Sequence, residues 1–246
     1  MGSPMKIICL IPARMASERF PRKLLQDLGG KPVIVRTWQS AVDSGVFDRV
    51  VVVTDSAEIA RAIETEGGET FISRQTHPSG TDRIAEAARE INADIFVNIQ
   101  GDEPFVPAGD MQRIRQTFEA DSAGNIDILS FCRPIADESE FHNPNNVKVV
   151  TDRQGFALYF SRAPIPYPRE GRFTGACKHI GIYAFRAGVL QRVAQMPPTI
   201  LEQTERLENL RFLENGLRIR ILPTDFDYAG IDTPADLEKA RKRWEI

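Results

Sequence analysis

The 246-residue chain carries 31 Lys and Arg against 34 Asp and Glu, a net charge of −3. That balance excludes the broad basic field behind non-specific nucleic-acid binding, so the cations act locally. No apolar run reaches membrane-spanning length, and the start lacks the charged and apolar regions of a signal peptide.

Met1-Gly2-Ser3-Pro4, ahead of Met5, reads as an added tag outside the fold. Apolar runs at 7–13, 49–54, 70–73 and 95–99 read as strands, with amphipathic helices at 33–44, 57–66 and 81–91 between them. Strands alternating with helices of this length predict a parallel sheet with right-handed crossovers. Asp55-Ser56 can cap the second helix, and Ser79 or Thr81 the third. A further strand falls at 127–131, after which the rhythm changes: strands at 147–151, 156–161 and 178–185 follow with little helix between them. The stretch 164–175, rich in Pro and Gly, reads as a mobile loop beside a site. Helices return at 187–195, 202–215 and 234–244, with a strand at 218–222. The fold class is α/β: a Rossmann-like, mostly parallel sheet flanked by helices, with an inserted antiparallel layer, as one domain over 5–246. Three scattered cysteines (Cys9, Cys132 and Cys177) show no metal-ligand spacing and fit a reducing cytoplasm; Cys9, inside the first strand, reads as a core thiol.

The first strand opens into a loop carrying Arg14, Ser17, Arg19, Arg22 and Lys23, then a turn at Gly29-Gly30-Lys31-Pro32. Cations gathered beyond a strand's carboxyl end repel one another, so they sit in water or around an anion. In open α/β sheets that crevice is where ligands bind, and a triphosphate is the obvious anion. Gln100-Gly101-Asp102-Glu103-Pro104 ends the fourth strand, where Asp102 is either a turn residue or a ligand for a hard cation such as Mg²⁺. Asp232, in Gly230-Ile231-Asp232-Thr233-Pro234, is equally suited to cap a helix. Spacing alone does not bring Asp102 and Asp232 together. Ser79-Gly80-Thr81-Asp82-Arg83 opens a helix and offers amides, a hydroxyl and close backbone approach, or simply an N-cap.

These motifs, with Ile11-Pro12-Ala13-Arg14, Asn143-Pro144-Asn145, Tyr159-Phe160-Ser161-Arg162, His179-Ile180-Gly181-Ile182-Tyr183 and Leu207-Glu208-Asn209-Leu210-Arg211, run in order along essentially the whole chain. Together they resemble the sugar nucleotidyltransferases, within them the 3-deoxy-manno-octulosonate (Kdo) cytidylyltransferases, which make CMP-Kdo for lipopolysaccharide. The resemblance implies the nucleotide-diphospho-sugar transferase type of fold, a homodimer, and Mg²⁺-dependent transfer of CMP from CTP to an acidic 2-keto sugar. It assigns Mg²⁺ to Asp102 and Asp232, and the triphosphate to Arg14, Ser17, Arg19 and Lys23, with Lys23 catalytic. It gives cytosine and ribose to the Ser79-Gly80-Thr81-Asp82-Arg83 loop, Ser79, Gly80 and Thr81 foremost, with Arg74 nearby, and places Gln100 between nucleotide and sugar. Arg162 and His179 would then hold the sugar carboxylate, and Tyr183 and Glu208 its hydroxyls. Taken singly, His179 and Tyr183 also read as core residues with satisfied polar tips, Glu208 as helix surface, and His77 and His142 as structural or surface residues.

One departure stands out. Most relatives carry Leu-Pro-Gly-Lys-Pro-Leu where this chain has Phe20-Pro21-Arg22-Lys23-Leu24-Leu25, a run similar to the CMP-sialic acid synthetases. Arg22 thus replaces a Gly, and is expected to add a cation near the triphosphate. The rival readings are the same chemistry on an 8-amino octulosonate or a sialic acid, and a catalytically silent nucleotide-binding protein. A dehydrogenase is disfavoured because no Gly-x-Gly-x-x-Gly follows the first strand.

Overall fold

A computed structural model describes residues 4–15 and 20–244. The chain divides into two compact units, Met1–Glu119 with Tyr228–Ile246, and Ala120–Asp227.

The first unit holds β1 (Ile7–Ala13), a short hairpin of β2 (Asp27–Leu28) and β3 (Lys31–Pro32), then β4 (Arg49–Thr54), β5 (Glu69–Ile72) and β6 (Ile95–Asn98). Its helices are α1 (Val33–Asp43), α2 (Ala57–Thr65), α3 (Gly80–Ala87) and α4 (Ala108–Ala120). β1 is buried along its whole length and pairs in parallel with β4 on one side and β6 on the other, while β4 pairs in parallel with β5. The β1 run Ile7-Ile8-Cys9-Leu10-Ile11 is therefore continuous rather than alternating, as a strand with both faces covered requires. Ser56 caps α2 by accepting from the Ile59 amide, and Ser79 caps α3 by accepting from the Asp82 amide at 3.1 Å, both as expected.

The β2–β3 hairpin turns on Gly29 and Gly30, at φ 61° and 85°. A Cβ on Gly29 would run into the indole of Trp244. Leu28 and Val33 pack there against Ile231, Leu237 and Ala240. This apolar cluster fixes the chain on both sides of Lys23 and around Asp232.

The second unit holds β7 (Ile128–Ile135), β8 (Lys148–Thr151), β9 (Ala157–Ser161), β10 (Ala176–Arg186) and β11 (Ile219–Pro223). β7 and β10 are antiparallel, with a bulge between Ile180 and Tyr183; β10 and β8, then β8 and β9, are antiparallel too, and β11 runs parallel to β7. This is the antiparallel layer the sequence predicts. Its helices are α5 (Glu138–His142), α6 (Ala187–Val193), α7 (Ile200–Glu205) and α8 (Glu208–Glu214). The chain then returns to the first unit as α9 (Pro234–Trp244).

One expectation needs correction. The helix expected over 202–215 is two, broken at Arg206, which adopts the left-handed conformation at φ 53°. The β2–β3 hairpin surrounds the turn expected at 29–32, and α4 falls where no element was expected.

Candidate active site

A cavity of about 550 Å³ lies at the carboxyl ends of the first unit's strands. Pro12, Ala13 and Arg14 line it from the end of β1, Lys23 and Leu24 from the following turn, and Gln100, Gly101 and Asp102 from the end of β6. His77, Pro78, Ser79, Gly80 and Arg83 line it from the β5–α3 connection and the first turns of α3. Asp232, ahead of α9, completes it.

The charged centre of this cavity is Lys23. Its Nζ donates to Asp102 and, at 3.0 Å, to Oδ1 of Asp232. Burial alone would lower the Lys23 pKa; the Asp102 carboxylate, then Asp232, outweighs it and raises the value. The structure thus joins two carboxylates that spacing left apart. Asp102 is held there by its own carbonyl, which accepts from the Ile231 amide at 2.9 Å, and by Gly101, whose carbonyl accepts from Thr37 Oγ1 at 2.9 Å. A Cβ on Gly101 would meet Pro12 O at 3.1 Å and Ile34 Cδ1 at 3.0 Å, so the turn needs its small residue.

Among the described residues no group of three or more His, Cys, Asp or Glu is arranged to hold a metal ion. The pair of hard oxygen donors at Lys23 nonetheless suits Mg²⁺, which takes one or two carboxylates and completes its shell with substrate phosphates and water. That a cationic ammonium already bridges the two carboxylates marks the spot as one that favours positive charge.

Arg22 corrects an expectation. It occupies the left-handed region at φ 57°, the conformation a Gly adopts without cost, and its guanidinium pairs with Glu58 on α2 rather than adding a cation to the cavity. Ser17 and Arg19 lie outside the described residues.

Gly80 approaches Pro12 so closely that a Cβ would sit 3.1 Å from its Cγ and 3.6 Å from Gln100 Oε1. Gln100 is thereby drawn to the junction between β1 and α3. Two residues expected at the nucleotide do not line this cavity. Arg74 is exposed and pairs with Glu90 at 3.0 Å, and Thr81 is buried on α3 without lining the cavity. The lining also includes His77, expected as a structural or surface residue, and Arg83, the last residue of the loop that the resemblance gives to the nucleoside. His77 Nε2 lies 2.6 Å from Glu86 Oε2, while Glu86 Oε1 accepts from the Arg74 amide at 3.0 Å. Burial alone would raise the Glu86 carboxyl; the Arg74 amide and His77 hold it below the usual range. Arg83 lies one helical turn from Ser79 and Gly80 and so shares their face.

In the second unit, His179, Tyr183 and Glu208 gather. The His179 and Tyr183 rings lie 5.4 Å apart, and the charge of Glu208 acts on Tyr183. His179 Nε2 is 2.9 Å from Ser130 Oγ, and burial pushes its pKa down to about 3. The imidazole is therefore neutral at pH 7, a hydrogen-bonding group and not the cation envisaged for a carboxylate. Burial raises the Tyr183 phenol. Glu208, in place of a solvated helix face, accepts from buried Arg211 at 2.9 Å. Arg162 donates to the carbonyls of Glu205 and Pro144 at 2.8 and 3.0 Å, bracing the break between α7 and α8.

A parallel-sheet unit with a carboxylate-and-cation cavity beyond its strand ends, carrying an antiparallel layer in sequence between β6 and α9, defines an α/β protein of the nucleotidyltransferase fold. The cytidylyltransferase family matches residues 8–219. The chain is 52% identical over 96% of its length to the 3-deoxy-manno-octulosonate cytidylyltransferase of Flavobacterium johnsoniae, covering 98% of that protein. It is 48% identical to the same-named protein of Christiangramia forsetii, covering 96% of each. A solved CMP:2-keto-3-deoxy-manno-octonic acid synthetase complexed with CTP superposes with a TM-score of 0.92 at 39% identity, covering 98% of both chains. The chain belongs to the cytidylyltransferases, in the 3-deoxy-manno-octulosonate cytidylyltransferase family.

Proposed function

We propose that this protein joins CMP from CTP to Kdo, releasing pyrophosphate and supplying CMP-Kdo for lipopolysaccharide biosynthesis. The observation that carries this reading is the Lys23 ammonium seated between Asp102 and Asp232 in a cavity bounded by the amino-terminal end of α3.

The chemistry asks for positioning and charge neutralisation. The anomeric hydroxyl of the sugar attacks the α-phosphorus, the bond to the pyrophosphate oxygen breaks on the opposite side, and the hydroxyl proton is lost. Arg14 and Lys23 carry positive charge to the phosphates and offset what develops on the leaving group. Ser79 and Gly80 bring the start of α3 close to the nucleoside, and Gln100 stands beside Gly80 at the junction with β1. Mg²⁺, held by Asp102 and Asp232, would supply Lewis-acid neutralisation of phosphate charge and a lowered pKa for the attacking hydroxyl. In the second unit Tyr183 and Glu208 orient sugar hydroxyls, neutral His179 contributes a hydrogen bond, and Arg162 provides the remaining guanidinium.

The same reading places the enzyme in the cytoplasm as a homodimer. No helix among the described residues is long and apolar enough to cross a membrane.

The test is pyrophosphate release in Mg²⁺, with CTP, UTP, GTP and ATP each crossed with Kdo, its 8-amino analogue and sialic acid. Release confined to CTP with Kdo is expected. Release with sialic acid alone, or with no pair at all, overturns the proposal.

A further inference from the structure

We propose that Cys132 and Cys177 form a reversible disulfide when a peroxide reaches Cys177, and that this bond slows use of the sugar. The effect on transfer rests on the reading of the second unit as the sugar subsite; the disulfide itself does not.

Cys132 lies on β7 and Cys177 on β10, in a register that pairs Cys132 with His179 and Cys177 with Pro134. The two cysteines are therefore diagonal neighbours on one face of the sheet. The Cys132 carbonyl turns away from β10 to accept from the Thr224 amide at 2.8 Å. The His179 amide turns away from β7 to donate to the Val147 carbonyl, also at 2.8 Å. Cys132 and His179 thus face each other without mutual backbone bonds, the pairing in which side chains approach most closely. The Cys132 thiol hydrogen-bonds to the Cys177 sulfur.

The two thiols differ in the way the chemistry needs. Cys177 is half-buried, the second residue of β10 and next to the loop 164–175, whereas Cys132 is 5% exposed. The hydrogen bond from Cys132 outweighs burial and brings the Cys177 pKa down to about 7, so a large share is thiolate in neutral solution. The same bond, with burial, pushes Cys132 up. An accessible thiolate beside a second thiol is the arrangement of a redox-sensing pair.

The Cys177 thiolate attacks one oxygen of hydrogen peroxide, the O–O bond breaks, and the departing oxygen takes up a proton to leave as water. Cys177 is then a sulfenic acid. The Cys132 sulfur attacks the Cys177 sulfur, and its proton leaves with the sulfenic oxygen as a second water. The two thiols lose two electrons, which the peroxide gains. Diagonal positions stand about 7–8 Å apart, beyond the about 4.4–6.8 Å that disulfides span between Cα atoms, so closure draws the start of β10 towards β7. A bond held that way is readily reduced, which makes it transient in a reducing cytoplasm. His179, opposite Cys132 and two residues from Cys177, lies in the displaced stretch, and its 2.9 Å contact with Ser130 Oγ moves with it.

The experiment treats the reduced wild-type protein with hydrogen peroxide, blocks the remaining thiols and maps the cysteines by peptide mass spectrometry. A Cys132–Cys177 cross-link that dithiothreitol releases is expected, with the fully buried Cys9 still a thiol. Cys132→Ala should instead hold a sulfenic acid on Cys177, captured by dimedone. Three free thiols in the treated wild type, or oxidation of Cys177 with no cross-link, overturns the disulfide. That mapping decides the matter alone if Cys132→Ala fails to fold. The cross-linked protein should lose at least about tenfold in kcat/KM for the sugar, regained with dithiothreitol, at unchanged CTP affinity. Unaltered kcat/KM in the cross-linked protein overturns the link to the sugar subsite. A reduced protein that transfers no CMP removes the reading of that subsite, and the cysteine mapping still judges the disulfide.

Discussion

The ammonium of Lys23 lies 3.0 Å from a carboxylate oxygen of Asp232, 209 residues further along the chain. The same Nζ donates to Asp102, so one cation links the turn after β1, the end of β6 and the approach to α9. The loop on which Asp232 sits is fixed by Ile231, which packs with Leu28, Val33 and Leu237 and donates its amide to the Asp102 carbonyl. Charge and packing meet at one point.

Asp102→Asn keeps the shape and removes the charge. Turnover should fall by more than about 100-fold, the scale reached by changes even one shell out from a metal. CTP binding should largely persist, because Arg14 and the start of α3 are unchanged and the Lys23 ammonium keeps Asp232 as a partner. Single-turnover rates beside a CTP titration check this; full activity in the variant contradicts the role given to Asp102.

Gly29→Ala should destabilise the fold by about 2 kcal/mol, since the added methyl meets Trp244 and the backbone sits at φ 61°. The displaced indole should register in tryptophan fluorescence, and activity should fall with the shift of α9 and the loop before it. A urea midpoint equal to wild type would show that the hairpin does not rest on Trp244 in solution.

How much of this was readable beforehand follows physical lines. The strand β1 and the alternation through β6 were legible because buried parallel strands are continuous apolar runs bounded by turns. Ser56 and Ser79 announced their helices as N-caps. The break at Arg206 was not legible: nothing local marks an Arg for the left-handed region, and the distant Arg162 braces it by bonding to the carbonyl before it, that of Glu205. Arg22 was misjudged for the same reason, since its partner Glu58 lies on another element. Spacing could nominate Asp102 and Asp232 only singly; their meeting at Lys23 rests on long-range contacts, the packing of Ile231 with Leu28 and Val33 and its amide bond to the Asp102 carbonyl, which no spacing rule encodes. His77 was set aside because a lone His carries little information until Glu86 is found beside it.

Arg206 offers a direct check of that backbone. Arg206→Val should cost about 1–2 kcal/mol, as a β-branched residue resists the left-handed region, whereas Arg206→Gly should be neutral or slightly stabilising. Denaturant unfolding of the two variants separates these effects. Equal behaviour would argue that the residue relaxes out of this conformation in solution.

His179 has a pH signature with a definite sign. Its folded pKa, about 3, lies below the unfolded value of about 6.5. Burial as the neutral form therefore leaves stability intact above pH about 6.5, and that contribution is lost progressively as pH falls from there towards the folded pKa. Proton NMR of the imidazole should show no inflection between about pH 5 and 8, the range in which an unperturbed His titrates. An inflection near 6.5 would mean that the ring is solvated and able to serve as a cation.

The most direct measurement is phosphorus NMR of the wild-type protein incubated with CTP, Kdo and Mg²⁺. One phosphodiester resonance for CMP-Kdo should grow in step with pyrophosphate, one molecule of each per CTP consumed. Unchanged CTP, or its conversion to CMP and pyrophosphate without the sugar phosphodiester, would contradict the transfer chemistry assigned to Lys23, Asp102 and Asp232.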